Sequence, residues 1–271
     1  MTGKRVQRPI GRRRKRQSPA QFIAEHPVFR LEELLAADGT RSLAAVKAAL
    51  GYHVAQGRIV CFKRGLYTRG LRGIDPWLLG SRLTPDAVLA YDGALSFHDV
   101  TDLGYGMSLL SRHRVRYLVH NEVCYRTVPP PKALAKLADP GGTVVERERE
   151  GVMVRVTTLE RAFVDCLDRP ELGPGLEELC ELLQAERHLD LTRMVDYARR
   201  LGHPIVAARL GLFAEHHRAW GQAALELAAL ERMRPSTATR FDPAHRGKAE
   251  RYVQRWNVSA PAWCWDRFGP L

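Results

Sequence analysis

Residues 42–67, SLAAVKAALGYHVAQGRIVCFKRGLY, form the stretch that decides the predicted fold of the first quarter of the chain. A helix is predicted from about Ser42 to Gln56, because the apolar residues recur at spacings of three or four up to Gly57 and so form one apolar stripe. The stripe consists of Leu43, Val46, Leu50 and Val54. Two short runs of strand-forming residues then flank a turn, and this pattern predicts a hairpin with a basic tip. The turn is Lys63-Arg64-Gly65.

Upstream of this stretch, the sequence predicts two shorter helices. Ser18 and Pro19 have the form of a helix start, because the hydroxyl can accept an amide and proline presets the first turn. That helix ends before Pro27, and a second helix, with leucines at helical spacing, stops at Asp38-Gly39. Three helices and a hairpin within residues 18–72 predict a winged helix-turn-helix, a fold that places its last helix in the major groove and its wing on the DNA backbone.

The positive charge of the chain is concentrated in the same region. Residues 1–72 contain 16 lysines and arginines against four acids, which accounts for the whole net charge of +12. Residues 73–271 contain 26 basic and 26 acidic residues and are neutral. Half of the basic residues of the first segment fall within residues 1–16, so we expect residues 1–17 to form a flexible basic arm. A concentrated excess of this kind indicates double-stranded DNA as the partner of the predicted fold.

The candidate DNA contacts lie on the arm, on the third predicted helix and on the wing. Arg41 and Ser42 begin the helix, where they are expected to contact bases and phosphates. Alanines on the outer face, among them Ala45, keep the helix slim enough to approach base edges. The remaining candidates are phosphate contacts that set affinity more than sequence choice: Arg12, Arg13, Arg14, Lys15, Arg16, Lys47, Lys63 and Arg64. Each of these side chains alone can equally be an ordinary solvated residue, so the prediction rests on the whole set.

Residues 73–271 are predicted to form a larger, mixed α and β domain, so that the whole chain belongs to the α+β class. Residues 71–80 have the character of a linker, and Thr84-Pro85 starts a predicted helix. Alternation predicts a strand over residues 114–119 and a hairpin over residues 144–156. Thr157-Thr158 then caps a helix, and three further helices are predicted at residues 175–187, 190–201 and 204–217.

The composition and the motifs of the chain exclude several classes of protein. No apolar run approaches the roughly 18 residues that cross a bilayer, and the basic N-terminus lacks the apolar segment of a secretory signal, so we expect a cytoplasmic protein with no membrane partner. The five cysteines are odd in number and widely spaced, which argues against a disulfide framework and a zinc site. No phosphate-binding glycine loop, serine elbow or cofactor motif occurs. We therefore expect no catalytic residues, no cofactor and no metal.

Several weaker features bear on chemistry. Glu146, Glu148 and Glu150 alternate on a predicted strand, which leaves a DNA-targeted nuclease open as an alternative, although arginines alternate beside them.

Arg161 and Asp165 are four residues apart on one helix face and predict a structural ion pair. His216-His217 are poor partners for one metal ion, because neighbouring helical residues point about 100° apart. The late aromatic cluster is expected to pack the C-terminal segment, with a partner-facing patch as the alternative. This cluster consists of Trp256, Trp263, Trp265 and Phe268.

Four short segments, spread over nearly the whole chain, share their order and spacing with a known family. They are residues 57–67, which begin with GRIV and end with RGLY, then VTTLERAFVD at residues 156–165, LGL at residues 210–212 and RWNVSAP at residues 255–261. In these segments the chain resembles the AbiEi-type antitoxins of bacterial toxin-antitoxin systems. The resemblance implies an N-terminal domain that represses its own operon at inverted repeats in the promoter operator, and a C-terminal domain that neutralises a nucleotidyltransferase-like toxin. A solitary transcriptional regulator and an interaction module that blocks a partner protein directly stay open beside it.

Overall fold

The chain has a mixed α and β structure. This computed structural model describes residues 17–39, 41–104, 106–135, 142–186, 188–245 and 249–268. The chain divides into two compact units, Met1–Asp75 and Pro76–Leu271. Both contain helices and sheets, so the expected α+β class is confirmed. In the part of the chain that the structure describes, no helix combines the length and the apolar character that a bilayer span requires.

The first unit alternates short helices and strands. Its elements are α1 (Pro19–Glu25), β1 (Val28–Arg30), α2 (Leu31–Asp38), α3 (Leu43–Ala55), β2 (Val60–Lys63) and β3 (Leu66–Thr68). The strands form one antiparallel sheet in the order β1-β3-β2, so the predicted hairpin is part of a three-stranded sheet. The sequence did not predict β1, because three residues are too few to display an alternating pattern and this strand forms only by pairing with β3.

Side-chain caps and a glycine define the helix ends of the first unit, and those at Ser18 and Gly39 were predicted from the sequence. The Ser18 hydroxyl accepts the backbone N–H of Gln21, and the Gln21 side chain accepts the N–H of Ser18. α2 ends at Gly39, whose φ of +65° lies in the left-handed region that glycine adopts without strain. The Ser42 hydroxyl caps α3 by accepting the N–H of Ala45 at 3.2 Å.

An apolar core joins the helices and the sheet of the first unit. It consists of Phe22, Ile23, Phe29, Leu34, Val46, Leu50 and Ile59. The predicted stripe on α3 was wrong at both ends, because Leu43 and Val54 are 46% and 37% exposed and His53 is buried instead. At 100° per residue, Val46, Leu50 and His53 lie within about 60° of one another around the helix, and Leu43 and Val54 lie on the flank of that group. Spacing alone therefore misplaced the centre of the buried face.

The second unit contains a six-stranded sheet, a three-stranded sheet and a set of helices. Its helices are α4 (Pro76–Arg82), α5 (Asp92–Phe97), α6 (Leu159–Asp168), α7 (Leu176–Ala185), α8 (Leu191–Leu201), α9 (Pro204–His216), α10 (Ala224–Met233) and α11 (Ala262–Phe268). Its strands are β4 (Val88–Leu89), β5 (Gly106–Leu110), β6 (Leu118–His120), β7 (Val123–Val128), β8 (Val144–Arg149), β9 (Val152–Thr157), β10 (Thr239–Arg240), β11 (Glu250–Val253) and β12 (Val258–Pro261). The sheet orders are β6-β7-β5-β4-β9-β8 and β10-β12-β11.

The predictions for the second unit were most accurate in its middle. The predicted hairpin is β8 and β9, the Thr158 side chain caps α6, and α7, α8 and α9 occupy the three predicted helical ranges. α6 is the central helix, since every residue from Arg161 to Leu167 is buried and the helix contacts α5, α7, α8 and α9.

Three predictions near the start of the second unit were wrong. Val88–Leu89 form strand β4 where a helix was expected, Pro76–Arg82 form helix α4 where a linker was expected, and residues 114–117 lie outside any strand. β4 lies between β5 and β9 and both of its residues are buried, so its sequence shows a continuous apolar run without alternation. A short run of this kind does not distinguish a strand from a helix.

Candidate nucleic-acid interface

Helix α3 exposes a wide outer face, which consists of Leu43, Ala44, Ala45, Lys47, Ala48, Gly51, Tyr52, Val54 and Ala55. At 100° per residue the centre of this face carries only alanine and glycine, namely Ala44, Ala48, Gly51 and Ala55. Lys47 lies on one flank and Ala45 on the other, roughly 160° apart around the helix. The two candidates therefore face opposite edges of any groove that the helix enters.

The start of α3 holds the candidates Arg41 and Ser42. Arg41 Nε lies 3.7 Å from Asp38 Oδ2, and the Asp38 side chain is 8% exposed whereas that of Arg41 is 46% exposed. This ion pair orients the Arg41 guanidinium at the junction of α2 and α3 without covering it. The Ser42 hydroxyl caps the helix by accepting the N–H of Ala45. The same oxygen atom is the one that is expected to contact DNA.

The hairpin of β2 and β3 carries the candidates Lys63 and Arg64 at its tip, and both side chains are exposed. Gly65 adopts φ +79°, and the pairing register shifts between Cys61 and Lys63. The left-handed glycine closes the turn, and the bulge twists the end of the strand. Both cations therefore project from a well-defined turn.

Arg58 is a basic residue of this region that the sequence prediction missed. It is exposed, and its guanidinium carbon lies 5.7 Å from the centre of the Tyr52 ring, which places a cation–π contact at the C-terminal end of α3. Burial, and next the charge of Arg58, lower the pKa of His53, which lies beside Tyr52. The absence of acidic residues on either side of Arg58 in the sequence is the pattern that could have identified it.

No acidic residue occurs between Asp38 and Asp75, whereas seven basic residues do. These are Arg41, Lys47, Arg58, Lys63, Arg64, Arg69 and Arg72. Arg69 is partly structural, because it donates a 3.2 Å hydrogen bond to the carbonyl of Ala24 at the end of α1. The segment that contains α3 and the hairpin is thus uniformly positive. The candidates Arg12, Arg13, Arg14, Lys15 and Arg16 lie outside the described residues.

The second unit contains a buried ion pair that confirms the predicted role of Arg161 and Asp165. Arg161 Nε donates to Asp165 Oδ2 at 3.1 Å, and the side chains are 3% and 1% exposed. The Tyr197 hydroxyl donates to Asp165 Oδ1 at 2.6 Å, and Arg161 also donates to Thr143 Oγ1 at 3.2 Å. Burial raises the pKa of Tyr197 well above its ordinary value. The group therefore ties α6 to α8 and to the start of the hairpin.

The three glutamates of the nuclease hypothesis do not lie together in one site. Glu146 and Glu148 are exposed on β8, where Glu146 faces Arg155 across the hairpin, and Glu150 lies in the turn with φ +48°. Within the described residues, no three histidine, cysteine, aspartate or glutamate side chains are arranged to hold a metal ion. The hairpin has the pattern of a solvated, charge-paired edge.

One cavity of about 260 Å³ lies in the second unit, and its lining includes Asp86, Arg155 and Arg161. Burial opposes ionisation of Asp86, but hydrogen bonds from Ser111, Arg112 and His113 lower its pKa below the ordinary range. The Asp86 carboxylate, which lies just before β4, is thus held by three hydrogen bonds within the second unit.

Two members of the late aromatic cluster are buried in the second unit, as the sequence predicted, whereas Trp265 and Phe268 are partly exposed. Trp256 is fully buried, and Trp263 is 8% exposed. The indole Nε1 of Trp256 donates to Glu215 Oε2 at 2.7 Å, and its ring lies directly against Gly211 on α9. The segments at residues 210–212 and 255–261 therefore meet in one core contact.

Among solved structures, the chain is similar to the crystal structure of the RV2827C protein from Mycobacterium tuberculosis. The two share 17% sequence identity, the alignment covers 91% of this chain and 93% of that chain, and the TM-score is 0.49. No protein-family model matches the chain, and no curated protein matches it.

Proposed function

We propose that the protein is a DNA-binding transcriptional repressor whose first unit binds the double helix. The observation that carries this proposal is the charge of the segment that contains α3 and the hairpin, which has seven basic residues and no acid between Asp38 and Asp75. A surface of one sign, built on a helix and a turn of defined geometry, suits the regular phosphate array of duplex DNA.

The order of elements supports a winged helix-turn-helix. Three helices and three short strands follow one another as α1, β1, α2, α3, β2 and β3, and the strands close one small sheet beside the helices. In such a fold α3 enters the major groove and the β2–β3 hairpin contacts the flanking backbone. Arg41 and Ser42 then lie at the entry of α3, and Lys63 and Arg64 lie at the tip of the wing.

The proposed DNA contacts fall into two groups, those to bases and those to phosphates. Arg41 is placed for base and phosphate contact, whereas Lys47, Lys63 and Arg64 contact phosphate. Arg58 at the end of α3 joins this second group. The arm residues 12–16 would add phosphate contacts outside the groove. A repressor acts on the chromosome, so the cytoplasm of a bacterium is the compartment that this proposal requires.

We further propose that the second unit acts as the antitoxin toward a nucleotidyltransferase-like toxin. The resemblance to AbiEi-type antitoxins supports this, and three of the four segments that carry it lie in the second unit. Two of them meet where Trp256 packs on Gly211, and a third contains the Arg161–Asp165 pair. These shared residues pack the core, so the resemblance supports a fold of the second unit like that of the AbiEi-type antitoxins.

The DNA proposal is tested with the full chain and the duplex upstream of its own gene. We expect the triple variant Arg41→Gln, Lys63→Gln, Arg64→Gln to bind at least about tenfold more weakly and to reduce the slope of log affinity against log salt by about 2 to 3. The matched control is Arg114→Gln, Arg116→Gln, Lys132→Gln, which removes three exposed charges from the second unit. Wild-type affinity and slope in the first variant would exclude this interface.

The antitoxin proposal is tested by expressing the neighbouring open reading frame with and without this chain. We expect growth to stop when the neighbour is expressed alone and to recover when the chain is present. A neighbour that is harmless, or one that stays toxic beside this chain, would leave a solitary regulator as the function of the protein.

A further inference from the structure

The outer face of α3 exposes more large apolar side chains than the core of the first unit requires. Leu43, Tyr52 and Val54 are 46%, 56% and 37% exposed, although the sequence pattern had assigned Leu43 and Val54 to the core. Val46, Leu50 and the other core residues join the helices, and Leu43, Tyr52 and Val54 lie outside that core cluster. Together with the alanines and the glycine between them, these side chains make the outer face of α3 largely apolar, and such a continuous face is suited to contact apolar groups of another molecule.

The same face offers few hydrogen-bonding groups. Between Leu43 and Ala55, only Lys47 and Tyr52 carry an exposed polar side-chain atom, since the other exposed residues of this face are leucine, alanine, glycine and valine. Of the residues that distinguish guanine and adenine in the major groove by paired hydrogen bonds, arginine, asparagine and glutamine do not occur on the helix, and the one lysine, Lys47, lies on its flank. The body of α3 therefore cannot recognise bases mainly through side-chain hydrogen bonds.

We infer that α3 recognises thymine through the C5-methyl group, so that the preferred sites of the protein carry thymines along the contacted major groove. This inference rests on the DNA-binding function proposed above. The thymine methyl is the apolar group of the major-groove edge, and alanine-sized side chains contact it directly. Ala44, Ala48 and Gly51 at the centre of the face keep the helix close to the floor of the groove, and Leu43 and Val54 extend the apolar contact along one flank.

Charge selects DNA over a protein as the occupant of this face. Arg41 and Lys47 border it toward the N-terminal end and Arg58 toward the C-terminal end, and no acid occurs between Asp38, which pairs with Arg41, and Asp75. A second copy that docked through the same face would bring these cations together, which is unfavourable. The major groove matches the pattern, because its methyl groups are apolar and its rims are anionic phosphates.

The inference is tested by removing only the methyl groups from the DNA. The duplex upstream of the gene is made once with thymine and once with uracil in its place, and the full chain is titrated with both at the same salt concentration. We expect the uracil duplex to bind more weakly, by about fourfold for each methyl group buried in the complex. Equal affinity for the two duplexes would overturn this inference and leave the DNA-binding function intact. Failure to bind either duplex would overturn both.

A protein variant separates direct contact from an effect of uracil on DNA shape. Ala48→Ser places a hydroxyl at the centre of the outer face, and we expect it to lower the ratio of thymine to uracil affinity toward one. Ala36→Ser makes the same change at an exposed position of α2 and should leave the ratio at the wild-type value. If both variants keep the wild-type ratio, the methyl groups act through the DNA alone and α3 does not contact them.

Discussion

Gly211 on α9 shows how one residue without a side chain determines the packing of the second unit. A Cβ atom at this position would overlap the indole ring of Trp256, which is fully buried and held by its hydrogen bond to Glu215. We expect Gly211→Ala to lower the free energy of unfolding by about 1 to 3 kcal/mol. Tryptophan fluorescence in a urea titration measures this, because all five tryptophans lie beyond Asp75. Gly104→Ala, whose added Cβ meets no atom within 4 Å, is the control.

His53 makes the stability of the first unit depend on pH. Burial, and next Arg58, lower its pKa from the ordinary value of 6.5, so the unfolded chain binds the proton more readily than the folded chain does. The contribution to stability is therefore complete above pH about 6.5 and is lost as the pH falls below that value. Hydrogen-exchange protection of the α3 amides, corrected for the intrinsic rates, should decrease from pH about 7 to pH about 5. His53→Leu should remove most of this decrease, and an equal decrease in both proteins would contradict the prediction.

Residues that act on near neighbours were predictable, and residues that act across the fold were not. The cap at Ser18 and the pair of Arg161 with Asp165 involve partners three or four residues away, so the spacing of the sequence revealed them. The contact of Gly211 with Trp256 spans 45 residues, and no local pattern signals it. Arg58 was missed because its neighbour Tyr52 belongs to the preceding helix.

At the scale of elements, the start of α3 joins the stability of the helix to the proposed DNA contact. Ser42 caps the helix by accepting the N–H of Ala45, and its side chain is exposed. We expect Ser42→Ala to cost about 1 kcal/mol of stability, because the cap is lost. Ser42→Asp should keep the stability, since aspartate caps as well as serine, yet weaken binding to duplex DNA by placing a negative charge against phosphate.

Two measurements on these variants separate the roles of Ser42. Hydrogen exchange of the α3 amides reports the cap, and the salt-controlled titration with the upstream duplex reports the contact. If Ser42→Asp binds DNA with wild-type affinity, then the start of α3 does not approach the backbone and the proposed docking of the helix is wrong.

The elements were predictable where one face is buried and the other is solvated. On β9, buried valines alternate with the exposed Met153 and Arg155, and α6 begins at a threonine cap, so the hairpin and the helix both followed from local patterns. β4 and β1 were not predicted from local patterns, for different reasons. β4 is buried on both faces and shows no alternation, and β1 is three residues long and forms only against β3.

For the whole molecule, the asymmetry of charge is the dominant electrostatic feature. Residues 1–16 carry eight basic residues, and residues 73–271 are neutral. We expect deletion of residues 1–16 to weaken binding to all duplex sequences alike and to reduce its salt dependence, because these charges release counterions without contacting particular bases. Replacing the eight residues by glutamine in the full-length chain should have the same effect, which separates charge from length. An unchanged salt slope would contradict this prediction.

The sequence by itself determined the α+β class, the segregation of charge, most helix caps and the candidate surface of α3 and the hairpin, because each depends on composition or on contacts a few residues apart. Only the tertiary structure decided which face of α3 is buried, where the short strands β1 and β4 pair, and which distant residues share the core with Trp256. The physical reason is that burial and strand pairing are settled by partners far away in the chain. An apolar residue such as Leu43 is placed in the core or at the surface by the elements that pack against its helix, and its own neighbours in sequence do not contain that information.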